Sequence, residues 1–168
     1  LGFEVHLIKN YADHLGFHDK FFIEAGATIV NDEKELISNS DILIQIGLLN
    51  ENQLKLIKHN QILVGSFNVH ENKNKIQELA SNKINVFSLE LLPRITRAQS
   101  MDILSSQANL AGYKAVVESF SYFEKAIPMM MTAAGTVPAA KVLVVGAGVA
   151  GLQAIATAKR MGAIVFAT

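Results

Sequence analysis

Between positions 141 and 163 the chain reads KVLVVGAGVAGLQAIATAKRMGA: a short β-branched strand, a glycine-rich turn, then an alanine-rich helix. Gly146, Gly148 and Gly151 stand in G-x-G-x-x-G spacing. The first glycine permits a tight turn, the second lets the backbone approach a diphosphate, and the third lets helix pack on strand. The helix is expected to start at Val149 and Ala150, where free N–H groups and the positive end of the helix dipole favour an anion. Such a unit belongs in a parallel α/β sheet that holds a dinucleotide. An acidic residue roughly 20 positions further on normally takes the ribose hydroxyls, and that position falls just past Thr168, the last residue.

The apolar run from 142 to 158 approaches the length of a membrane-spanning helix. Its glycines at turn spacing and its change from β-branched to alanine-rich texture assign it instead to a buried strand, turn and helix. At the other end, Leu1-Gly2-Phe3-Glu4 has no initiator methionine and begins inside a strand pattern. Both ends are therefore expected to be cuts within a longer protein, and no secretory signal is visible. Fifteen basic residues balance 15 acidic ones, so electrostatics point to no nucleic-acid or membrane-surface partner. The absence of cysteine excludes disulfides, thiolate metal sites and a thiol nucleophile. The histidines show no metal-binding pattern; His14 and His18, four apart, read as solvated positions.

The first ninety or so residues alternate short apolar runs with amphipathic stretches, the rhythm of parallel strands joined by crossover helices. Strands are expected over 3–8, 27–30, 41–46, 62–67 and 85–89, with helices over 32–38, 51–59 and 74–82. Asn31 or Asp32 can cap the first of these helices, with Glu33 and Glu35 in its first turn. Pro93 closes this open α/β layer. From Thr96 to about Glu124 a helical period takes over, as one long helix or two. Pro128 and Pro138 bracket an apolar stretch over 129–137, expected to be a connection or a short turn of helix. Met129, Met130 and Met131 within it read as packing residues.

Two of the three arginines, Arg94 and Arg97, directly follow Pro93. On a helix starting near Thr96, at about 100° per residue, Asp102, Ser106, Asn109 and Tyr113 share one stripe, with Gln99 and Ser105 at its edges. Leu104, Ala108 and Ala111 lie opposite. The stripe could be a plain solvent face. Its chemistry argues otherwise: amide, hydroxyl, carboxylate and guanidinium replace the lysine and glutamate of an ordinary wet surface. These groups suit a nicotinamide nucleoside. Gln99 can meet a carboxamide with a donor and an acceptor, Asp102 can accept from ribose hydroxyls, and Arg94 can pair with Asp102 or reach a diphosphate. No acid or base is needed for hydride transfer between two nicotinamide rings, where ring placement supplies the rate.

At these residues a family resemblance emerges. The strings RITRAQSMDILSSQANLAGYKAV (94–116) and MTAAGTVPAAKVLVVGAGVAGLQAIATAKRMGA (131–163) closely resemble the alpha subunit of proton-translocating NAD(P) transhydrogenases. LGFEV (1–5), EAGATIV (24–30) and DILIQI (41–46) extend the likeness weakly over the whole chain. The resemblance implies two Rossmann-like or flavodoxin-like parallel-sheet domains joined by a long helix, both incomplete, over 1–108 and 109–168. It implies NAD(H) bound at a nicotinamide-side segment formed by Arg94, Gln99, Asp102 and Ser105, and at a pyrophosphate turn formed by Gly146, Gly148, Val149, Ala150 and Gly151. It further implies hydride transfer to NADP(H) on a partner component, the beta subunit, coupled to proton movement across a membrane. A homodimer, placed peripherally on the cytoplasmic face of a bacterial inner membrane and inactive as a fragment, completes the expectation.

Two rivals stand beside this reading. Alanine dehydrogenases share the plan but need a protonatable histidine near the substrate carbonyl. His70 lies near that place, a position or two out of register, and the sister family's glycine-rich segment before the nucleotide strand has no counterpart. A non-catalytic nucleotide-binding subunit is the second rival; the intact Arg94, Gln99 and Asp102 set opposes it, because a sensor has little need to position a nicotinamide ring.

Overall fold

A computed structural model describes residues 2–168; residue 1, the first of the LGFEV string, lies outside the described residues. The chain forms two compact units, residues 1–92 and 93–168.

In the first unit, β1 (His6–Ile8) pairs in parallel with β2 (Thr28–Val30). A second parallel sheet has the order β3 (Ile42–Ile46), β4 (Ile62–Ser66), β5 (Asn85–Ser88). The strands are those expected, trimmed at their ends. The connections are α1 (Asp19–Glu24), α2 (Glu33–Asn39), α3 (Glu51–Leu54) and α4 (Lys73–Ser81). Asp32 caps α2 by accepting the Lys34 N–H at 2.9 Å. Asn50 and Gln53 close a reciprocal capping box on α3. The core gathers Ile37, Leu49, Leu63, Phe67, Leu79 and Ile84, with Leu63 and Phe67 fully buried.

Two differences from the sequence expectation have local causes. The helix expected over 51–59 stops at Leu54, because Leu54, Leu56 and Ile57 all pack on the core. Residues 54 and 56 fall about 200° apart on a helix, so a continuing α-helix could not face both inward. Beyond it, the buried Gln61 amide ties the turn together, accepting the Lys58 N–H and donating to the carbonyls of Ile37 and Ser40. Helix α1 went unpredicted; six residues between Gly16 and Gly26 carry too little period to show.

The second unit begins with a 3-10 helix over Thr96–Met101, followed by the long α5 (Ile103–Tyr122). The helical region therefore breaks at Asp102. The stretch over 129–137 is neither helix nor plain connection but an antiparallel hairpin, β6 (Met130–Thr132) with β7 (Gly135–Val137). Gly135 takes φ +125°, and the Thr132 hydroxyl donates to the Gly135 carbonyl at 2.9 Å while accepting the Ala134 N–H. The three methionines are exposed, not packed: Met131 is 84% accessible. Local backbone geometry, set by glycine and a turn-bonding threonine, outweighed their apolar character. Next come β8 (Lys141–Val144), α6 (Val149–Arg160) and β9 (Ile164–Ala167), with β8 and β9 parallel.

Candidate functional site

The glycine turn closes β8 onto α6. Gly146 sits at φ +94°, a left-handed conformation open to glycine, and its N–H donates to the Thr168 carbonyl at 2.8 Å. A Cβ on Gly151 would lie 1.8 Å from the Gly146 carbonyl oxygen, so only a bare glycine lets α6 come this close to the turn. Gly148 is different in kind. It is the N-cap of α6, provides no side-chain acceptor, and a Cβ on it would meet nothing within 4 Å. The first-turn N–H groups of α6 thus face open space, with Gly148 and Val149 exposed and Ala150 and Gly151 half-buried. This arrangement fits a diphosphate: unsatisfied donors, positive dipole end, and no side chain in the way.

The segment from Arg94 to Ser105 is also ordered by its own hydrogen bonds. Asp102 is the N-cap of α5. One carboxylate oxygen accepts the Ser105 N–H at 2.9 Å and the other accepts the Ser105 hydroxyl at 2.6 Å. The Ser105 hydroxyl, then its N–H, and at longer range the Arg94 guanidinium hold the Asp102 carboxyl below the usual carboxylate range. Asp102 is therefore a fixed anion. No ion pair within 4 Å joins it to Arg94 among the described residues. Arg94 and Gln99 are exposed, and Gln99 lies on the 3-10 helix, not on α5.

Ser106, Asn109 and Tyr113 do form an exposed stripe on α5. The side expected to be apolar needs correction: Leu104 and Ala111 are exposed, and the buried line runs through half-buried Ala108 to buried Gly112 and Val116. The reason is a close crossing of α5 on α6, where a Cβ on Gly112 would stand 2.1 Å from the Ala150 carbonyl oxygen. That glycine was missed in the sequence, although a glycine inside a helical period is a recognised sign of close packing.

Glu90 was missed as well. Its carboxylate accepts the Phe67 N–H at 2.9 Å and the Val69 N–H at 3.3 Å, pinning the loop that carries His70. Burial pushes this carboxyl up, but backbone donors on Glu90 itself, Phe67 and Val69 prevail and leave it below its ordinary value. A carboxylate with a depressed folded pKa contributes stability above its unfolded pKa and loses it as pH falls through the folded one. Glu90→Gln is expected to flatten this part of the acid-unfolding profile, so that urea midpoints of variant and parent converge as pH falls through the folded-state pKa, below the ordinary glutamate value.

A cleft of 540 Å³ between α3 and α4, lined in part by Leu54, His59, Lys75 and Leu79, contains none of the sequence-predicted site residues. Among the described residues no cluster could hold a metal ion, and no helix is long and apolar enough to cross a membrane.

Two sequence models of known families match the chain. The alanine dehydrogenase/PNT N-terminal domain matches residues 1–111, and the alanine dehydrogenase/PNT C-terminal domain matches residues 115–168. The chain belongs to the alanine dehydrogenase/PNT family. Within this family it is 47% identical to an NAD(P) transhydrogenase alpha subunit of Rhodospirillum rubrum, over 100% of this chain and 45% of that protein. An alanine dehydrogenase of Methanococcus maripaludis is 26% identical over 96% of this chain and 44% of its own length. The crystal structure of transhydrogenase from Sinorhizobium meliloti superposes with a TM-score of 0.91 at 42% identity, covering 99% of this chain and 48% of that one. The chain thus spans less than half the length of these relatives, and the mixed α/β fold with parallel sheets is the family's.

Proposed function

We propose that this chain is the NAD(H)-binding part of an NAD(P) transhydrogenase, in which hydride passes directly between NADH held here and NADP+ held on a partner component. The observation that carries the reading is the Asp102 carboxylate, held by the Ser105 N–H and hydroxyl, in the same compact unit as an open glycine turn. Identity with transhydrogenase alpha subunits, well above that with alanine dehydrogenase, supports it.

In this reading the chain divides into an N-terminal domain over 1–108 and the beginning of the NAD(H)-binding domain over 109–168. The turn at Gly146, Gly148 and Gly151 and the N–H groups at Val149 and Ala150 hold the pyrophosphate. Asp102 accepts hydrogen bonds from ribose hydroxyls, with Ser105 fixing its rotamer, while Gln99 meets the carboxamide and Arg94 adds positive charge beside it. The bound nicotinamide supplies the hydride. None of these side chains transfers a proton; their contribution is to hold one ring at reacting distance from another, the entropic part of the barrier. The NADP(H)-binding beta subunit, a homodimer of this component, and a peripheral position on the cytoplasmic face of a bacterial inner membrane complete the proposed assembly, with proton translocation in the membrane partner.

The test is hydride transfer from NADH to an NADP analogue by the full-length protein with its NADP-binding partner added. Absence of transfer, with turnover of pyruvate and ammonia instead, would favour alanine dehydrogenase. His70 separates the two readings. It is exposed, and no role is assigned to it here, so His70→Ala is expected to leave transfer within about twofold of the parent, a difference under ~0.5 kcal/mol in barrier. Loss of activity on that substitution would point to acid–base chemistry.

A further inference from the structure

Glycine is a poor residue for a helix interior, yet Gly112 lies midway along α5, is buried, and brings α5 onto the first turn of α6 backbone to backbone. An added Cβ would stand 2.1 Å from the Ala150 carbonyl oxygen, 2.9 Å from its carbon and 3.0 Å from the Ala150 Cα. These are backbone atoms that cannot swing aside as a side chain would. The two helices meeting here carry different ends of the candidate site. Asp102 and Ser105 are the N-cap and first turn of α5; Val149, Ala150 and Gly151 are the first turn of α6.

The two partners are not equally free to move. Helix α6 is locked into its strand-helix-strand unit by the Gly151 approach to Gly146, by the parallel pairing of β8 with β9, and by the Gly146 bond to Thr168. Helix α5 follows a 3-10 turn and ends at Phe123 without such a lock. A methyl group at position 112 therefore displaces α5, and with it Asp102 and Ser105, and leaves the diphosphate turn where it is. We propose that Gly112 is a positioning residue: it sets the spacing between the nicotinamide-side anion on α5 and the diphosphate turn on α6, so that one dinucleotide reaches both. The inference rests on the site reading above.

ADP and NADH distinguish spacing from plain stability, because ADP engages the diphosphate turn without a nicotinamide nucleoside. In the full-length protein, Gly112→Ala is expected to leave ADP affinity within about twofold of the parent while weakening NADH by about tenfold or more, with transfer to an NADP analogue falling at least as far. If NADH and ADP weaken by the same factor, or neither changes, Gly112 is a packing contact only and the proposal fails. Should Gly112→Ala not fold, Ala108→Val tests the same spacing one turn earlier on the buried stripe, with the same selective loss of NADH expected. Asp102→Asn, measured alongside, separates the two levels of inference. If it lowers neither NADH affinity relative to ADP nor hydride transfer, the site reading itself is wrong; if it lowers either and the position 108 and 112 variants do not weaken NADH relative to ADP, only the spacing role is lost.

Discussion

Gly148→Val is expected to abolish the proposed nucleotide binding and to leave the fold standing. The residue has φ −73° and ψ −170°, a conformation that valine adopts readily, and the space a Cβ would enter is empty of protein atoms within 4 Å. The cost in the free protein is therefore confined to a poorer N-cap. In the complex the valine occupies the volume where a diphosphate must meet the first-turn N–H groups of α6. Loss of those charge-assisted contacts is expected to weaken NADH at least about a hundredfold, ~3 kcal/mol, by titration calorimetry. Wild-type affinity would show that the dinucleotide does not lie over this turn. Gly151→Ala supplies the contrast, since its Cβ would stand 1.8 Å from the Gly146 carbonyl oxygen. There the damage falls on the β8–α6 packing itself, so thermal stability drops together with binding.

Asp102→Asn and Arg94→Ala act on the rate. Asparagine is as good an N-cap as aspartate, so Asp102→Asn retains an acceptor for the Ser105 N–H while removing the charge and the second oxygen, which accepts the Ser105 hydroxyl. Thermal unfolding should hardly move. Hydride transfer at saturating NADH is expected to fall by about tenfold for every ~1.4 kcal/mol of ring placement lost, and by at least one such factor for each variant. Because Ser105 keeps Asp102 below the usual carboxylate range, the group is an anion around neutral pH. The transfer rate of the parent should accordingly show no inflection from this group near neutrality. Rates unchanged by both substitutions would remove the nicotinamide-side assignment while leaving the glycine turn intact.

Much of the fold was legible from the residues in order. The five strands of the first unit follow from short apolar runs, the cap of α2 from Asp32, and the start of α6 at Val149 from the glycine spacing. Each is a signal contained within a few consecutive residues. The misjudged stretches have a common physical character. At 129–137, apolar content suggested packing, but Gly135 and Thr132 decide a hairpin that exposes Met131. On α5, the period was right and the buried side was wrong, because burial there follows the crossing with α6.

The candidate site divides in the same way. Sequence alone determined the glycine turn, since the geometry at Gly146, Gly148 and Gly151 depends on local backbone conformation, and it singled out Arg94, Gln99, Asp102 and Ser105 as candidates by their chemistry and by family resemblance. It could not tell that Asp102 begins a helix instead of sitting inside one, nor that Ser105 takes both of its carboxylate oxygens. Glu90 holding the loop of Phe67 and Val69, 23 and 21 residues away, and Gly112 meeting Ala150 were invisible in order of residues. Those contacts join segments remote along the chain. Only tertiary structure decides them, because a side chain's partner is set by the packing of whole elements and not by its neighbours in sequence.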